Sequence, residues 1–322
     1  MNLKEIITPI NNELNEFQKR FAKSLKSNVA LIDLITKYIL KQKGKKIRPV
    51  LVLLSAKLAG EINDRTYIAA NLVELLHTAT LIHDDVVDDA KTRRGLASIN
   101  AVWKNKASVL IGDYLLSKGL LISLNNNEYD FLQTTSEAVR RMSEGELLQI
   151  QKARNFDATE ETYFRIISDK TASLIKTCCK LGALSVTTDK RKIENLSVLG
   201  ENLGIAFQLR DDLLDYTGRK KLLGKSTGND IKEKKFTLPL IYSLKEAPKR
   251  KSSEIMKLIK SDSIKKFETV YYFVKEFGGI EYTISKSMEY ANTAKSCLDI
   301  FSDEILKKTY SDLIDFIALR EY

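Results

Sequence analysis

Two groups of aspartates in this chain have the residue types and spacing of metal-binding groups. Both follow the pattern Asp-Asp-x-x-Asp, at residues 84–88 and 211–215, inside apolar segments that are compatible with helices. Because each helical step turns by about 100°, each pattern would hold three carboxylates within one turn. Like charges at that density raise one another's pKa, so a cation is needed among them. Oxygen ligands indicate a hard cation, and we expect Mg²⁺, which prefers a few carboxylates with water and phosphate oxygens.

A single group of this kind is usually a solvated acidic face or a helix start. The flanks argue against that here, since segments 72–87 and 203–214 are largely apolar and embedded charges need a compensating partner. Each group is predicted near the C-terminal end of a helix, where the helix dipole disfavours anions. Each is also followed by a loop that is rich in Lys or Arg. Two such groups facing one another would clamp a diphosphate through bridging metal ions.

The elements that must position these groups are predicted to be long helices. No proline falls between Pro49 and Pro239, glycine is sparse, and apolar residues recur every three or four positions. No Pro/Ser linker or low-complexity tract marks a boundary, so we predict an all-α protein with a single domain over residues 1–322. The predicted helices cover residues 12–40, a segment from Pro49, residues 67–89, 107–124, 131–153, 160–184 and 193–216, and several shorter segments from 240 to 322.

Composition limits the partners and the compartment. The net charge of +10 would allow a nucleic-acid partner, but lysines spread over the surface account for most of it, and we predict no nucleic-acid binding. Cys178, Cys179 and Cys297 have neither a disulfide framework nor zinc spacing. The first 21 residues carry acids and no run reaches about 18 apolar residues, which predicts neither a signal peptide nor a membrane span. A reduced, cytoplasmic compartment is the expectation.

These segments together resemble the trans-polyprenyl diphosphate synthases, enzymes that elongate isoprenyl chains head to tail. Residues 81–88 with Arg93-Arg94-Gly95 are similar to the first aspartate-rich motif of that family, and residues 204–215 to the second. Residues 44–49 are similar to its Gly-Lys-Arg-x-Arg-Pro segment, with Lys46 where Arg is usual. Further matches are Glu74-Leu75-Leu76-His77, Lys170-Thr171-Ala172, Gly224-Lys225, Gly228-Asn229-Asp230, residues 235–239, which follow Lys234 in place of a frequent Gly, and residues 278–281.

The resemblance implies the isoprenoid-synthase fold, a bundle of long helices around a deep central cavity, usually as a homodimer. It also implies an Mg²⁺-dependent prenyltransferase, with three ions per active site when diphosphate is bound. The main metal ligands would be Asp84, Asp88 and Asp211, with Asp85, Asp212 and Asp215 in support. Lys170 and Lys225 would join the three main ligands as catalytic groups. Substrate-binding residues would be Arg93, Lys170, Gln208, Lys225 and Lys235 for the allylic diphosphate, Lys45, Arg48, His77 and Arg94 for isopentenyl diphosphate, and Thr171.

Two small residues, Ala79 and Thr80, lie one turn before the first aspartate and affect the expected product length. A growing tail must pass them, about 6–8 Å below Asp84 at 1.5 Å per residue, unless Ala79 is merely a close contact between helices. Short-chain members of the resembled family place a bulky aromatic residue there, so we expect a long-chain product from a farnesyl diphosphate primer. Similarity over the whole chain favours an octaprenyl product for a quinone such as ubiquinone. Geranylgeranyl, hexaprenyl, heptaprenyl, nonaprenyl and decaprenyl products stay open.

Two other protein classes share parts of this pattern. A terpene cyclase has the fold and one acidic motif, but its second metal motif is of a mixed Asn/Ser/Glu kind, and a site such as Lys45 with Arg48 would be superfluous. A non-catalytic regulatory subunit of a heteromeric synthase typically loses acidic motifs, and both are intact here. We therefore predict an active enzyme, whose partners are its two diphosphate substrates, a second copy of the chain, and transiently a membrane when product is released.

Overall fold

Helices form almost all of the regular structure in the computed structural model, which describes residues 2–42, 44–155, 159–217, 229–232, 235–261 and 266–318. The all-α prediction is therefore confirmed. In chain order the elements are α1 (Leu3–Ile6), a 3-10 helix (Thr8–Ile10), α2 (Asn11–Ser24), α3 (Ala30–Lys41), α4 (Ile47–Ala59), α5 (Asp64–Val87), β1 (Thr92–Arg93), β2 (Leu96–Ala97), α6 (Ile99–Asn125), α7 (Tyr129–Asn155), α8 (Glu160–Ile167), a π-helical turn (Ser168–Ala172), α9 (Ser173–Leu184), α10 (Lys190–Thr217), α11 (Asn229–Lys232), α12 (Leu238–Glu246), α13 (Lys249–Lys260), α14 (Lys266–Glu276), α15 (Gly279–Ser296) and α16 (Glu304–Ala318).

The centre of the molecule is a group of packed helices that are apolar on most of their faces. Helix α4 lies against α5 and α9, α9 lies against α10, and α6 runs along α5. Gly182 allows the close approach of α9 to α4, because a Cβ there would lie 2.3 Å from the carbonyl oxygen of Val52. Helices α15 and α16 pack on α10. This arrangement brings the C-terminal halves of α5 and α10, which carry the aspartate motifs, into the same region.

Helix α5 carries the first aspartate motif at its C-terminal end. Asn63 begins it as an N-cap whose side chain accepts the backbone N–H groups of Arg65 and Thr66. No proline or glycine interrupts its 24 residues. After the helix, the chain reverses in the hairpin of β1 and β2, where Arg94 and Gly95 have left-handed φ angles of 52° and 79°, as two-residue hairpin turns require. The hairpin therefore folds back beside the aspartates.

Two predicted helices are interrupted in the structure, and the helix predicted over residues 107–124 begins earlier, at Ile99. The predicted helix over residues 12–40 is two helices, α2 and α3, because the hydroxyl of Ser27 accepts the backbone N–H of Val29 at 3.2 Å, which competes with helical hydrogen bonds. The predicted helix over residues 160–184 contains the π-helical turn Ser168–Ala172, which no apolar periodicity indicates. Cys178, Cys179 and Cys297 are free and buried.

Helix α6 has an apolar outer face. Within the described residues it is the one helix long and apolar enough to cross a membrane by length and composition, and 33% of its most apolar window is buried. That is weak evidence for a membrane span, because the core helices of other proteins pass the same test. The search of the sequence for an uninterrupted run of about 18 apolar residues did not find this helix. Leu110 and Leu121 on the outer face are 60% and 53% exposed.

Candidate active site

A cavity of about 950 Å³ opens between α5, α7, α10 and the π-helical turn. The C-terminal end of α5 and the corresponding part of α10 contribute carboxylates to it, while Lys170 and Lys235 contribute cations. Farther from the aspartates, the α5 wall continues through Thr80, Ala79 and Leu76. Apolar side chains from the neighbouring elements complete that part, namely Leu116, Val139, Met142, Leu174 and Phe207. The cavity therefore joins a charged mouth to an apolar interior.

In the first motif, Asp84 and Asp88 line the cavity together. They are four residues apart and so share one face of α5. Asp84 is open to the cavity, yet the surrounding protein is dense enough that desolvation raises the pKa of its carboxyl group. Lys170 opposes this rise, while the carboxylates of Glu146 and Asp88 add to it. The pair is therefore an environment that favours a bound cation.

Asp85 does not share that environment. Its residue is only 2% exposed, and its Oδ1 accepts hydrogen bonds from Arg93 Nε at 2.8 Å and from Arg93 Nη2. One helical step turns Asp85 by about 100° from Asp84, and a packed face receives it. The three carboxylates of the first motif lie within about one turn, as predicted, but of the three only Asp84 and Asp88 line the cavity. The metal role predicted for Asp85 stays a prediction.

In the second motif, Asp211 and Asp212 line the cavity, and Asp230 of α11 joins them. Asp212 is buried and accepts hydrogen bonds from the Tyr163 hydroxyl at 2.6 Å and from Gln208 Nε2 at 2.7 Å. Burial raises the pKa of Asp212 well above its usual range, Asp230 adds to the rise, and the two hydrogen bonds oppose it. Asp215 accepts the backbone N–H of Asp230 at 3.1 Å. This carboxylate therefore holds α11 against α10. The metal role that was predicted for Asp215 stays a prediction.

The carboxylates of the cavity form an incomplete ligand set for a metal ion. The described residues hold no group of three or more His, Cys, Asp or Glu side chains that could bind a metal alone. Instead the cavity offers the pair Asp84 and Asp88 from α5, and Asp211, Asp212 and Asp230 from α10 and α11. Mg²⁺ usually keeps several waters and binds through one or two carboxylates plus substrate phosphates. The carboxylates present are compatible with ions of that kind and not with a closed protein cage.

Three of the cationic side chains predicted to bind the allylic diphosphate, Lys170, Arg93 and Lys235, line the cavity. The π-helical turn directs Lys170 into the cavity, where Nζ donates to Gln149 Oε1 at 2.7 Å and forms an ion pair with Glu146. Thr171 donates to Gln208 Oε1 at 2.8 Å, which orients the amide that contacts Asp212. Lys225, predicted as a catalytic and substrate-binding group, lies outside the described residues.

A second cluster of cations surrounds His77. Arg48 Nη1 lies 2.9 Å and Arg94 Nη2 lies 3.5 Å from His77 Nε2. Since guanidinium groups only donate, Nε2 must be an acceptor. Burial and the charges of the two arginines hold the pKa of His77 well below its usual range, so the ring is neutral. Arg48 Nε is buried and has no hydrogen-bond partner in the described part of the chain, which suits a bound anion.

The loop before α4 shapes this second cluster. A Cβ at Gly44 would lie 2.6 Å from Arg94 Nη1, so glycine lets the guanidinium rest against the backbone. Lys45, predicted with Arg48 and Arg94, is exposed and lies 5.2 Å from the ring centroid of Phe316. The structure thus brings Arg48, His77 and Arg94 together and places Lys45 toward the end of α16.

Several residues of the site were not predicted from the sequence. Glu146 and Gln149 hold Lys170 from one face of α7, and their spacing of three residues was the available signal. Tyr163 donates to Asp212, and Asp230 lines the cavity together with Asp211 and Asp212 of the second motif. Glu74 is buried among the second cluster of cations. Burial raises its pKa, whereas Arg48, Arg94 and Lys46 lower it.

Comparison with known proteins decides the family. The sequence profile described as polyprenyl synthetase matches residues 29–275. The chain belongs to this family. It is 34% identical over 304 residues to the octaprenyl diphosphate synthase of Escherichia coli strain K12, covering 94% of each chain. It is 32% identical to the heptaprenyl diphosphate synthase component 2 of Bacillus subtilis strain 168, covering 100% of this chain and 92% of the relative.

A solved structure agrees with this family assignment. The polyprenyl synthase of Caulobacter crescentus CB15, crystallised with calcium and isoprenyl diphosphate, superposes with a TM-score of 0.92 at 31% identity, over 100% of this chain and 98% of that one. Relatives named for nonaprenyl and decaprenyl products are each 33% identical. The protein is therefore a trans-prenyl diphosphate synthase, whose family uses isopentenyl diphosphate and allylic diphosphates. Product length differs among relatives of similar identity.

Proposed function

We propose that this enzyme adds isopentenyl diphosphate to farnesyl diphosphate, with Mg²⁺ as cofactor, to give an all-trans product of eight isoprene units for a quinone side chain. The observation that carries the long product is the α5 wall of the cavity. Below Asp84 it continues through Thr80, Ala79 and Leu76, and no Phe, Tyr or Trp of α5 lines it. An elongating tail has room along this wall. Release of so apolar a product at a membrane surface is part of the proposal.

The residues of the cavity suit an ionising reaction. Departure of diphosphate from the allylic carbon separates a carbocation from an anion. Asp84, Asp88 and Asp211, which line the cavity, would hold Mg²⁺, and the metal would supply positive charge to the leaving diphosphate. Lys170, Arg93 and Lys235 add fixed positive charge at the same mouth, and the apolar interior keeps water from the cation before the double bond of isopentenyl diphosphate attacks it. The new carbon–carbon bond leaves a second carbocation, which loses a proton to the released diphosphate and so forms the double bond of the product. In this proposal Arg48, His77 and Arg94 hold the diphosphate of that second substrate.

The proposal is tested by incubating the purified chain with farnesyl diphosphate, labelled isopentenyl diphosphate and Mg²⁺, and by chromatography of the dephosphorylated products. We expect a forty-carbon product. Products of 35, 45 or 50 carbons would revise the length only, whereas geranylgeranyl product alone would contradict the long-chain proposal. Absence of label incorporation by the chain alone, with activity restored by a second subunit, would make it one component of a heteromeric synthase.

The two diphosphate sites should respond separately to mutation. Arg48→Ala is expected to raise the KM for isopentenyl diphosphate about tenfold, and Lys235→Ala the KM for the allylic primer, since a charge-assisted contact contributes about 1.5–3 kcal/mol. Steady-state kinetics with each substrate varied in turn would measure this. Arg48→Lys keeps the charge and serves as the control. Equal effects of both alanine variants on both substrates would contradict the separation.

We also propose that the enzyme is a homodimer through the outer face of α6. Val109, Leu110, Leu121 and Leu124 are exposed there, and contiguous exposed apolar surface marks interaction sites. Replacing Leu110 and Leu121 by Glu should halve the mass measured by light scattering after size-exclusion chromatography. Ile305→Glu is the matched control, because Ile305 is 72% exposed on α16. A wild-type monomer, or a dimer insensitive to the double replacement, would contradict this interface.

A further inference from the structure

We infer that Asp85 is a positioning residue that anchors the Arg93-Arg94 hairpin between the two diphosphate sites, and that it does not bind metal. The roles of the two sites come from the proposed function; the anchoring itself comes from the geometry. This gives the three carboxylates of the first motif two different tasks. Asp84 and Asp88 face the reacting groups, while Asp85 acts through Arg93.

The first observation is the direction of the Asp85 side chain. It is 3% exposed, compared with 27% for its partner Arg93. Arg93 donates from both Nε and Nη2 to the same oxygen, Oδ1, and hydrogen bonds between charged groups are the stronger ones. A carboxylate enclosed in this way cannot also offer its shared oxygen to an ion beside Asp84 without losing the arginine.

The second observation is that the hairpin's own backbone pairing is short, so side-chain contacts must hold it. Among these, Arg94 lies 3.5 Å from His77, and the Tyr38 hydroxyl donates to the carbonyl of Ala97 at 2.9 Å. The strands of the hairpin are two residues each, paired Thr92 with Ala97 and Arg93 with Leu96, and a two-stranded hairpin is marginal by itself. Its base is fixed by the N–H of Ser98, which donates to the carbonyl of Lys91 at 3.0 Å. The ion pair of Arg93 with Asp85 is the charge-assisted contact that ties the hairpin to α5.

The third observation is where the two arginines lead. Arg93 lines the main cavity. Arg94 follows it in the chain and reaches His77 in the second cation cluster. The contact with Asp85 uses Nε and Nη2 of Arg93, so Nη1 takes no part in the ion pair. One buried carboxylate thereby orients a cation at each diphosphate site, and its loss should affect both substrates.

The two possible roles of Asp85, anchor or metal ligand, predict different results for the Asp85→Asn variant. If Asp85 is an anchor, Asp85→Asn weakens the binding of both substrates and loosens the hairpin, while the Mg²⁺ concentration needed for turnover stays constant. As a metal ligand, it would resemble Asp88→Asn, which keeps the hairpin intact and raises the Mg²⁺ concentration needed for turnover. The amide of Asn is similar in size to the carboxylate but lacks the charge that holds the guanidinium.

The experiment is hydrogen exchange, followed by mass spectrometry, on peptides covering residues 90–98 in the wild type, Asp85→Asn, Arg93→Gln and Asp88→Asn. We expect exchange about tenfold faster in the first two variants, about 1.4 kcal/mol of local opening, and unchanged exchange in Asp88→Asn. Peptides of α10 should exchange as in the wild type in all variants. Should Asp85→Asn fail to fold, Arg93→Gln carries the same comparison. Unchanged exchange in the variants that break the pair would overturn the anchor.

Kinetics complete the test. Asp85→Asn should raise the KM for both substrates about fivefold or more, while the Mg²⁺ concentration for half-maximal rate stays within about twofold of wild type. A rise of that Mg²⁺ concentration equal to that of Asp88→Asn would overturn the inference. A wild-type protein that transfers no prenyl group would refute the proposed function. Hydrogen exchange needs no turnover, so it would still show whether Asp85 anchors Arg93.

Discussion

Replacement of Asp84 or Asp211 by alanine should lower kcat by about 10²–10³-fold, the usual scale for removing one charge-stabilising group from an active site. Both side chains line the cavity and are exposed to it, so they contribute charge and not packing. The helical circular dichroism and the thermal midpoint should therefore stay near the wild-type values. Turnover of farnesyl and isopentenyl diphosphate at saturating Mg²⁺ is the measurement.

The matched control is Asp89→Ala. Asp89 follows the same helix end, is exposed, and contacts Lys91 at 2.8 Å, so its removal should leave turnover within about twofold of wild type. Excess chelator should abolish the wild-type activity, and added Mg²⁺ should restore it. Losses of less than tenfold in both Asp84→Ala and Asp211→Ala, or full activity in excess chelator, would contradict the proposed metal-dependent mechanism.

Ala79→Tyr should shorten the product from about forty to about twenty carbons. Ala79 is 1% exposed and belongs to the hydrophobic core, yet it also lines the cavity. It is thus both a close packing residue and part of the wall. A tyrosine ring there would close the passage toward Leu76, while overpacking would cost about 1–3 kcal/mol of stability. Chromatography of the products formed from farnesyl diphosphate measures the change in length.

Thr80→Tyr is the second variant, since Thr80 lines the same wall and is less buried than Ala79. Thr78→Tyr is the control, because Thr78 lies on another part of α5 and lines a small separate pocket. It should leave product length unchanged. An unaltered forty-carbon product from folded, active Ala79→Tyr and Thr80→Tyr enzymes would show that the tail does not follow this wall.

Helical periodicity, which acts locally, predicted the all-α fold. The pairing of two acidic motifs, together with the resemblance to a known family, predicted that Asp84, Asp88 and Asp211 share one cavity, and all three line it. The sequence did not predict the direction of Asp85. That direction depends on Arg93, which a hairpin returns to the helix from eight residues away. Asp230 was likewise missed as a site residue, since its place beside Asp212 depends on how α11 packs against α10. Contacts between elements, which no local pattern encodes, decide these details.

The π-helical turn at Ser168–Ala172 makes the length of this segment as important as its composition. A π turn accommodates one residue more than an α turn, so the faces of α8 and α9 are offset by about 100° relative to a continuous α-helix. That offset lets Tyr163 meet Asp212 while Gly182 meets α4. A one-residue deletion here would rotate one helix against its neighbour, so the packing of α8 and α9 should be more sensitive to a change in length than to a substitution in this turn.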